Sequence, residues 1–571
     1  MRRSRLSALT GVVAVIGASL LGASTATAAP AAASADSATG YVVLAKSGAS
    51  AAALAKQLTA AGATVSTVNE AIGMVVVSAA PSGFLASVRS NAAVDSAAAN
   101  GLVGRSPMAG KAKDRVLREN AEAPASVGAA ARADVSADPL DSYLWGMRMM
   151  NVPQAHAITL GDARVKVGVM DTGVEASHPD LAANFDATLS RNFTTDMVDV
   201  DGPCEFDGCK DPATVDDNGH GTHVAGTIAA AKNDFGLSGV APDVGIVNVR
   251  AGQDSGYFFV GPVANALTYS GDAGLDVVNM SFYVDPWLYN CEGGAPEDSP
   301  EEAAEQDLII KTMRRALNYA HSKGVTLVGA LGNNHEDLSN PRTDYSSPDY
   351  PGGTERPRTI DNATCWDLPA EGPHVIGVSS LGPTTTKADY SNYATDLTSG
   401  EIEISAPGGW FRDGFGTPTF RTNENMILST APKHVLQEEG SVDEAGNVTP
   451  QGTALGVKKE CTTTPAPGAD ACGYYQFLQG TSMASPHAAG VAALAVSAHG
   501  KVRGKHGFSM APGAVRDLMM RTATDHACPT PALQTYTREG RSAEFNALCV
   551  GTPDFNGFYG AGIANALGVV Q

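Results

Sequence analysis

Short apolar runs alternate with helical patterns through the last three quarters of the chain. The runs are rich in β-branched residues and predict buried strands at 165–170, 244–249, 275–280, 325–331 and 375–378. Apolar residues recur at helical spacing over 220–231, 262–273, 305–323, 482–498, 512–523 and 562–569. Such alternation is typical of a mostly parallel sheet with helices on both faces, so we expect an α/β fold. In that architecture ligands and catalytic groups gather at the carboxyl ends of the strands.

A smaller α+β pattern precedes this region. Residues 39–100 predict, in order, a strand, a helix, two strands, a helix and a strand, which is enough for a small domain. Residues 101–137 are rich in Ala, Gly and Pro and have no regular period, so we predict a linker and processing region.

The first residues have the pattern of an export signal. Three arginines lie within residues 1–5, an apolar run extends from Leu6 to Leu21, and small residues follow as far as Ala29. We predict a signal peptide over 1–28 and a secreted protein without a stable membrane anchor. The alternative, a single membrane-spanning segment, requires a longer and more apolar run.

Composition and charge exclude several classes of protein. The chain has 571 residues, 43% of them apolar, which excludes disorder for most of its length. Its formal net charge of -21 opposes a sustained contact with nucleic acid. The charge is uneven, because residues 1–138 hold 12 Lys/Arg against 8 Asp/Glu. We expect that nucleic acid is not a partner of this protein. We also expect the protein to be a monomer.

The cysteine pattern favours disulfide bonds. All eight cysteines lie beyond residue 200, an even number in a chain predicted to be exported, and 105 pairings are possible. Structural zinc is the alternative, but it requires two close Cys/His pairs, and only Cys204 and Cys209 are that close.

Three polar residues have surroundings that suit catalysis. Asp171 directly follows a predicted strand, His220 begins a predicted helix, and Ser482 begins another with small residues on both sides. Each taken alone fits a turn, a packed histidine or a helix cap. A hydroxyl becomes a good nucleophile only with a base beside it and an acid to orient that base. The three together therefore predict acyl-transfer chemistry.

With their flanking sequences, these residues make the chain similar to the subtilisin-like serine proteases. The matching stretches are VKVGVMDTGVEASHPDL, NGHGTHVAGTIAA, GVAP, DVVNMS, LGNN and QGTSMASPHAAGVAAL. The resemblance covers residues 138–571 apart from insertions and implies a three-layer α/β/α catalytic domain that hydrolyses peptide bonds without a catalytic cofactor. It implies that Ser482 is the nucleophile, His220 the general base and then acid, and Asp171 the group that holds the imidazole tautomer.

The same resemblance implies further site residues. Asn333 falls where the family places the side-chain amide of its oxyanion hole. Substrate-binding positions are implied at Ser281, Phe282, Tyr283 and Gly332, although the family usually has Ser-Leu-Gly-Gly where this chain has Ser-Phe-Tyr-Val over 281–284. His223 and His487 are expected to pack within their helices.

Residues 39–100 resemble the family's inhibitory propeptide, a small ferredoxin-like domain that assists folding and inhibits its own enzyme. The resemblance therefore implies a zymogen whose partners are its own propeptide and protein or peptide substrates. The alternative is an independent ligand-binding domain.

A structural calcium site is also implied by the resemblance. The loop at 231–237 has the length found in family members that bind the ion, and hard cations prefer oxygen ligands. The implied side-chain ligands are Asp138, Asp180 and Asn233, and the implied backbone ligands are the carbonyls of Ala231, Phe235 and Leu237. The alternative is a loop without an ion.

Three insertions distinguish the chain from the compact family pattern, near 283–300, 335–373 and 433–471. Local pairing is favoured by short sequence separation for Cys204 with Cys209, Cys461 with Cys472 and Cys528 with Cys549. Cys291 and Cys365 lie in two insertions that, in the family's geometry, overhang the non-primed side of the cleft. We predict that these two are bonded and tie the insertions into a rim.

Three functions of different classes are compatible with the sequence. The first is a secreted endopeptidase made as a self-processing zymogen. The second keeps the chemistry but restricts it, as an exopeptidase or processing protease whose cleft is walled by the insertions. The third is a non-catalytic binding protein, which is disfavoured because no member of the predicted triad is missing.

Overall fold

An antiparallel sheet with two helices forms the first part of the computed structural model, which describes residues 39–99, 117–122, 138–349, 353–502 and 507–571. The predicted signal peptide and most of the predicted linker lie outside the described residues. The elements are β1 (Thr39–Ala45), α1 (Ala51–Ala60), β2 (Thr64–Asn69), β3 (Met74–Ala79), α2 (Phe84–Arg89) and β4 (Val94–Ala99). The strand order is β2-β3-β1-β4, and a four-residue helix, α3 (Glu119–Glu122), follows.

A seven-stranded sheet forms the centre of the larger part. Its strands are β5 (Lys166–Met170), β6 (Arg191–Asn192), β7 (Gly245–Arg250), β8 (Val277–Met280), β10 (Thr326–Ala330), β12 (Val375–Leu381) and β13 (Ile404–Pro407). The order is β13-β12-β10-β8-β5-β7-β6, and every neighbouring pair is parallel. The sheet is buried because helices cover both of its faces, as a parallel sheet requires.

The helices of the larger part are α4 (Trp145–Met149), α5 (Val152–His156), α6 (Val198–Asp201), α7 (His220–Ala229), α8 (Val260–Ala273), α9 (Pro300–Ser322), α10 (Lys433–Glu438), α11 (Pro450–Ala454), α12 (Thr481–His499), α13 (Pro512–Thr522) and α14 (Ala566–Val570). Val167 and Val169 of β5 share a core with α7 and α12, whereas Met170 shares one with α8 and α9. The predicted three-layer α/β/α fold is confirmed.

Short strands complete the structure: β9 (Asn290–Cys291), β11 (Cys365–Trp366), β14 (Ile427–Ala431), β15 (Lys458–Cys461), β16 (Cys472–Leu478), β17 (Lys501–Val502), β18 (Phe508–Ser509), β19 (Leu533–Gln534), β20 (Ala547–Leu548), β21 (Gly551–Thr552) and β22 (Phe555–Asn556). β14, β16 and β15 form an antiparallel sheet that the sequence analysis did not predict.

The last predicted helix begins later than expected. The pattern predicts a helix over 562–569, whereas α14 begins at Ala566. Gly562 has a φ of +124°, outside helical geometry, and Ile563 is tied by backbone bridges to Thr524. The apolar residues before Ala566 are therefore buried by extended backbone and not by a helix.

The start of α9 shows how local sequence sets an element. α9 begins with Pro300 and a capping box, in which Ser299 Oγ accepts from Glu302 N at 3.3 Å and Glu302 Oε2 accepts from Ser299 N at 2.7 Å.

Within the residues that the structure describes, no helix is both long and apolar enough to cross a membrane.

The small sheet packs on α8 and α9. Arg315 of α9 donates to the carbonyl oxygens of Ala45 and Ile72 at 2.9 and 3.0 Å and to the Asp95 carboxylate at 2.6 Å. Asn69 Nδ2 donates to Thr268 Oγ1 of α8 at 2.7 Å. Residues of β1 and β3 share the apolar core of these two helices.

Candidate active site

Asp171 lies directly after the carboxyl end of β5 and is fully buried. Its Oδ1 accepts from Thr172 N at 2.8 Å and lies 2.7 Å from His220 Nδ1. A carboxylate at this distance favours the histidine tautomer that carries its proton on Nδ1. The other ring nitrogen is then the one that can accept a proton.

His220 is the first residue of α7, and the loop before it is held by Asp216, which the sequence analysis missed. Asp216 Oδ1 accepts from Gly219 N at 2.9 Å and from Thr172 Oγ1 at 2.9 Å. Its Oδ2 accepts from Thr222 N at 2.8 Å and from Thr222 Oγ1 at 2.6 Å. An acidic residue shortly before a helix was the available signal. Asp216 thereby fixes His220 relative to Asp171.

Ser482 is the second residue of α12, the helix that runs buried through the larger part. Its Oγ donates to the carbonyl oxygen of Ser281 at 3.2 Å, and Ser281 Oγ donates to the carbonyl oxygen of Ser482 at 3.0 Å. Gly480, at the helix start, has a φ of +150°, which glycine adopts most readily. The N–H of Ser482 lies in the first helical turn, where the helix offers it no acceptor.

The Asn333 amide has a fixed orientation. Its Oδ1 accepts from Thr481 N and from Thr481 Oγ1, both at 2.9 Å. Because the oxygen accepts both hydrogen bonds at the start of α12, the Nδ2 donors are left for another acceptor. Asn333 therefore offers an N–H close to Ser482.

One cleft brings these residues together. It has a volume of about 410 Å³ and is lined by His220, Ser482 and Asn333. All four predicted substrate-binding residues also line it, namely Ser281, Phe282, Tyr283 and Gly332. Phe282 stacks on Phe258 with a centroid separation of 4.0 Å, and Tyr283 donates to Asp349 at 2.6 Å. Tyr283, which replaces an expected glycine, and its bulky neighbour Phe282 thus form part of the wall.

Comparison with known proteins decides the family. Residues 162–562 match the family described as "Subtilase family". The chain belongs to the subtilase family. M-protease of Shouchella clausii (strain KSM-K16) is 28% identical over 353 residues, which cover 62% of this chain and 59% of that protein. Thermitase of Thermoactinomyces vulgaris is 28% identical over 313 residues, which cover 54% of this chain and 86% of thermitase.

A solved structure supports the fold of this subtilase. The epidermin leader peptide processing serine protease from Staphylococcus aureus has a TM-score of 0.59 at 19% identity, covering 93% of this chain and 98% of that one. The predicted fold is confirmed by this likeness and by the sheet topology. The predicted enzyme class, a subtilisin-like serine protease, is confirmed at the level of the family.

Two insertions of this subtilase line the cleft. The first contributes Leu288, and the second contributes Ser346, Asp349, Glu355 and Asp367. All four disulfide pairs present in the structure are those expected, Cys204–Cys209, Cys291–Cys365, Cys461–Cys472 and Cys528–Cys549. The Cys291–Cys365 bond joins β9 to β11 and so ties the two insertions together.

Replacing Cys291 and Cys365 by serine is expected to lower the free energy of unfolding by about 2–4 kcal/mol, because the bond closes a long loop. It is also expected to raise the ratio of casein to short-peptide hydrolysis, because the wall becomes less rigid. The double variant Cys204→Ser, Cys209→Ser is the matched control. That bond joins cysteines only 5 residues apart in sequence, and neither of them lines the cleft. Unchanged stability together with an unchanged ratio would contradict the predicted rim.

A segment of the predicted linker also reaches the cleft, which the sequence analysis did not anticipate. Leu117 lines the cleft, and its carbonyl oxygen accepts from Gln479 N at 3.2 Å. Two residues later, Glu119 is buried, accepts from Gln479 Nε2 at 2.9 Å and pairs with Arg412 and Arg541. The contacts join residues far apart in sequence, so no local pattern signalled them.

The residues predicted to bind calcium lie close to one another at a second site, apart from the lining of the cleft. Asp180 Oδ2 accepts from Leu237 N at 3.1 Å, and the Asp180 carbonyl accepts from Ala231 N at 2.8 Å. Asp138 Oδ1 accepts from the backbone of the same loop, at Asp234 N, with a separation of 2.8 Å. Two further members of the set, Asn233 and Phe235, are joined by a hydrogen bond from Phe235 N to Asn233 Oδ1 at 3.0 Å.

His223 and His487 are buried within α7 and α12. Burial lowers the pKa of His223 to about 3 and that of His487 to about 4. His223 Nε2 lies 3.0 Å from the Ile427 carbonyl oxygen, and His487 Nδ1 lies 2.8 Å from that of Met483. Both rings are neutral packing elements.

Proposed function

We propose that the chain is a secreted serine endopeptidase that cleaves peptide bonds through an acyl-enzyme. The observation that carries the proposal is that His220, whose Nδ1 lies 2.7 Å from the buried Asp171 carboxylate, lines the same cleft as Ser482 and Asn333. An acid, a base, a hydroxyl and an oxyanion donor are the groups that this chemistry needs.

In the first half of the proposed reaction, Ser482 Oγ attacks the carbonyl carbon of the scissile bond while His220 Nε2 takes the hydroxyl proton. Asp171 stabilises the resulting imidazolium. The oxygen of the tetrahedral intermediate accepts from Ser482 N and Asn333 Nδ2. Collapse of the intermediate breaks the C–N bond, and His220 gives its proton to the leaving amine.

The second half returns the enzyme to its starting state. His220 removes a proton from a water molecule, whose oxygen attacks the Ser482 ester. The same donors stabilise the second oxyanion. When the ester bond breaks, Ser482 Oγ regains a proton from His220 and the carboxylic acid product leaves.

The proposal includes synthesis as a zymogen, with residues 39–100 as an inhibitory propeptide and 101–137 as the processing region. Support comes from the packing of the small sheet on α8 and α9 and from Leu117, which lines the cleft beside Ser482. In this proposal, the processing region to which Leu117 belongs is the first substrate of the enzyme. An independent ligand-binding domain would not require this contact.

A structural calcium ion belongs to the same proposal. The fit rests on Asp180 Oδ1, which is buried and has no hydrogen-bond partner among the described residues. Burial raises the pKa of Asp180 to about 8, with a smaller contribution from the nearby charge of Asp138. A hard cation held by Asp138, Asp180 and Asn233 with the loop carbonyls would neutralise this pair of carboxylates.

Chelation of calcium is expected to lower the melting temperature by several degrees, because an ion that binds only the folded state stabilises it. Added calcium should restore the original value, and Asp180→Asn should make the melting temperature insensitive to the chelator. An unchanged melting curve after exhaustive chelation, with no metal found by elemental analysis, would contradict the site.

The second candidate is a processing or exo-acting protease of the same fold. The observation that favours it is that residues of two insertions line the cleft, namely Leu288, Ser346, Asp349, Glu355 and Asp367. Hydrolysis of casein compared with short chromogenic peptides separates the two. Efficient casein cleavage at internal bonds supports the endopeptidase, whereas cleavage of short peptides alone supports the restricted protease.

A further inference from the structure

One carboxylate of the cleft has no partner within the described part of the chain. Asp367 lines the cleft together with His220 and Ser482, yet its side chain is only 3% exposed. No hydrogen bond reaches its carboxylate oxygens from the described residues; burial and the charge of Asp344 are the only influences on its pKa, which they raise to about 8. Such a group requires a positive partner before it can be stably ionised.

The neighbouring charges do not supply that partner. Among the described residues that line the cleft, Asp349, Glu355 and Asp367 carry carboxylates and none carries a lysine or arginine side chain. The buried guanidinium of Arg358 pairs with Asp344 at 3.0 Å. The Asp349 carboxylate accepts from Tyr283, and Glu355 is exposed. Among the described residues of the cleft, Asp367 is therefore the buried carboxylate that lacks a cationic partner.

The backbone holds Asp367 rigidly. It directly follows β11, which the Cys291–Cys365 bond ties to β9. Asp367 N donates to Glu371 Oε2 at 2.5 Å, and the next carbonyl oxygen, of Leu368, accepts from Val284 N at 2.8 Å. A preorganised carboxylate loses little entropy when it binds a cation.

Asp367 also lies beside Gly332, the neighbour of the proposed oxyanion donor Asn333. A Cβ added to Gly332 would lie 3.2 Å from Asp367 Oδ2, and Gly332 directly precedes Asn333. In the proposed reaction the attacked carbonyl lies between Ser482 and Asn333. The substrate side chain closest to Asp367 therefore belongs to the residue that supplies this carbonyl, and a long side chain is needed to reach a buried carboxylate.

We propose that Asp367 makes this cleft select arginine or lysine at the residue immediately before the scissile bond. The inference deepens the proposed function and rests on it. A guanidinium or ammonium group would form charge-assisted hydrogen bonds with Asp367 out of bulk water, where such bonds are strongest. Leu117 lines the cleft. The sequence just before it contains Lys111, Lys113 and Arg115, which are residues of the type that Asp367 is proposed to select.

The test uses internally quenched peptides that differ only at the residue before the scissile bond, which is arginine, lysine, citrulline or leucine. Citrulline is the uncharged isostere of arginine, so the pair isolates the charge. For the mature enzyme we expect kcat/KM for the arginine peptide to exceed that for the citrulline peptide by about 100-fold. In Asp367→Asn the ratio should fall to about threefold or less, since the amide cannot form an ion pair.

Glu355→Gln is the matched control, because it removes an exposed carboxylate from the same insertion and the same cleft. It should keep the arginine preference. Equal cleavage of the arginine and citrulline peptides by the wild-type enzyme would overturn the inference without any variant. The proposed function itself fails instead if no peptide of the series, and no casein, is cleaved.

Discussion

Replacing Ser482 by alanine will leave a full-length precursor that keeps residues 39–100 attached, and peptide hydrolysis will fall by about a million-fold. The size is that known for the nucleophile of a subtilisin, a family relative. The expectation follows because removal of the propeptide is proposed to be the enzyme's own first reaction. Gel analysis and N-terminal sequencing after expression in a protease-deficient host provide the measurement.

Ser497→Ala is the matched control for that experiment. Ser497 lies in the same helix, where its Oγ donates to the Ala493 carbonyl oxygen at 2.7 Å. This variant should mature normally and keep its activity. Clean maturation of Ser482→Ala in the same host would contradict self-processing.

Replacing Asn333 by alanine is expected to lower kcat by about 100- to 1,000-fold, with a much smaller change in KM. The range is that found for the oxyanion donor of a subtilisin, again a relative. The loss falls on kcat because the Nδ2 hydrogen bond strengthens only when the carbonyl oxygen becomes negative. Steady-state kinetics on a soluble peptide measure it, with thermal melting to show that the variant is folded.

The adjacent Asn334 provides the control for this prediction. It also lines the cleft, and its backbone N donates to Asn392 Oδ1 at 3.0 Å. Asn334→Ala should change kcat by less than about threefold, since no role in charge stabilisation is assigned to it. A loss in Asn333→Ala no larger than this would place the oxyanion donor elsewhere.

The central strands and main helices were predictable because their apolar residues form continuous runs or recur at regular spacing. Val167 and Val169 lie in one core and Met170 in the opposite one, and α12 is buried on all sides from Thr481 to Val496. The antiparallel sheet of β14, β16 and β15 was missed, because its middle strand, Cys472–Leu478, follows an insertion without a clear pattern. Its aromatic residues are part of a strand only because they pair with β14, about 45 residues earlier in the sequence.

The candidate site divides in the same way. Asp171, His220 and Ser482 stand in distinctive local sequences, so their assembly in one place could be foreseen. Asp367 could not, because its importance arises from burial and from proximity to Gly332, which is distant in sequence. Only the fold brings such groups together.

The most direct test of the account is labelling with a fluorophosphonate probe, followed by digestion and mass spectrometry of the adduct. We expect a single adduct on Ser482, formed in step with the loss of peptidase activity, and none in Ser482→Ala. An adduct on a different residue, or an unlabelled protein that continues to cleave peptides, would contradict the proposed acyl-enzyme.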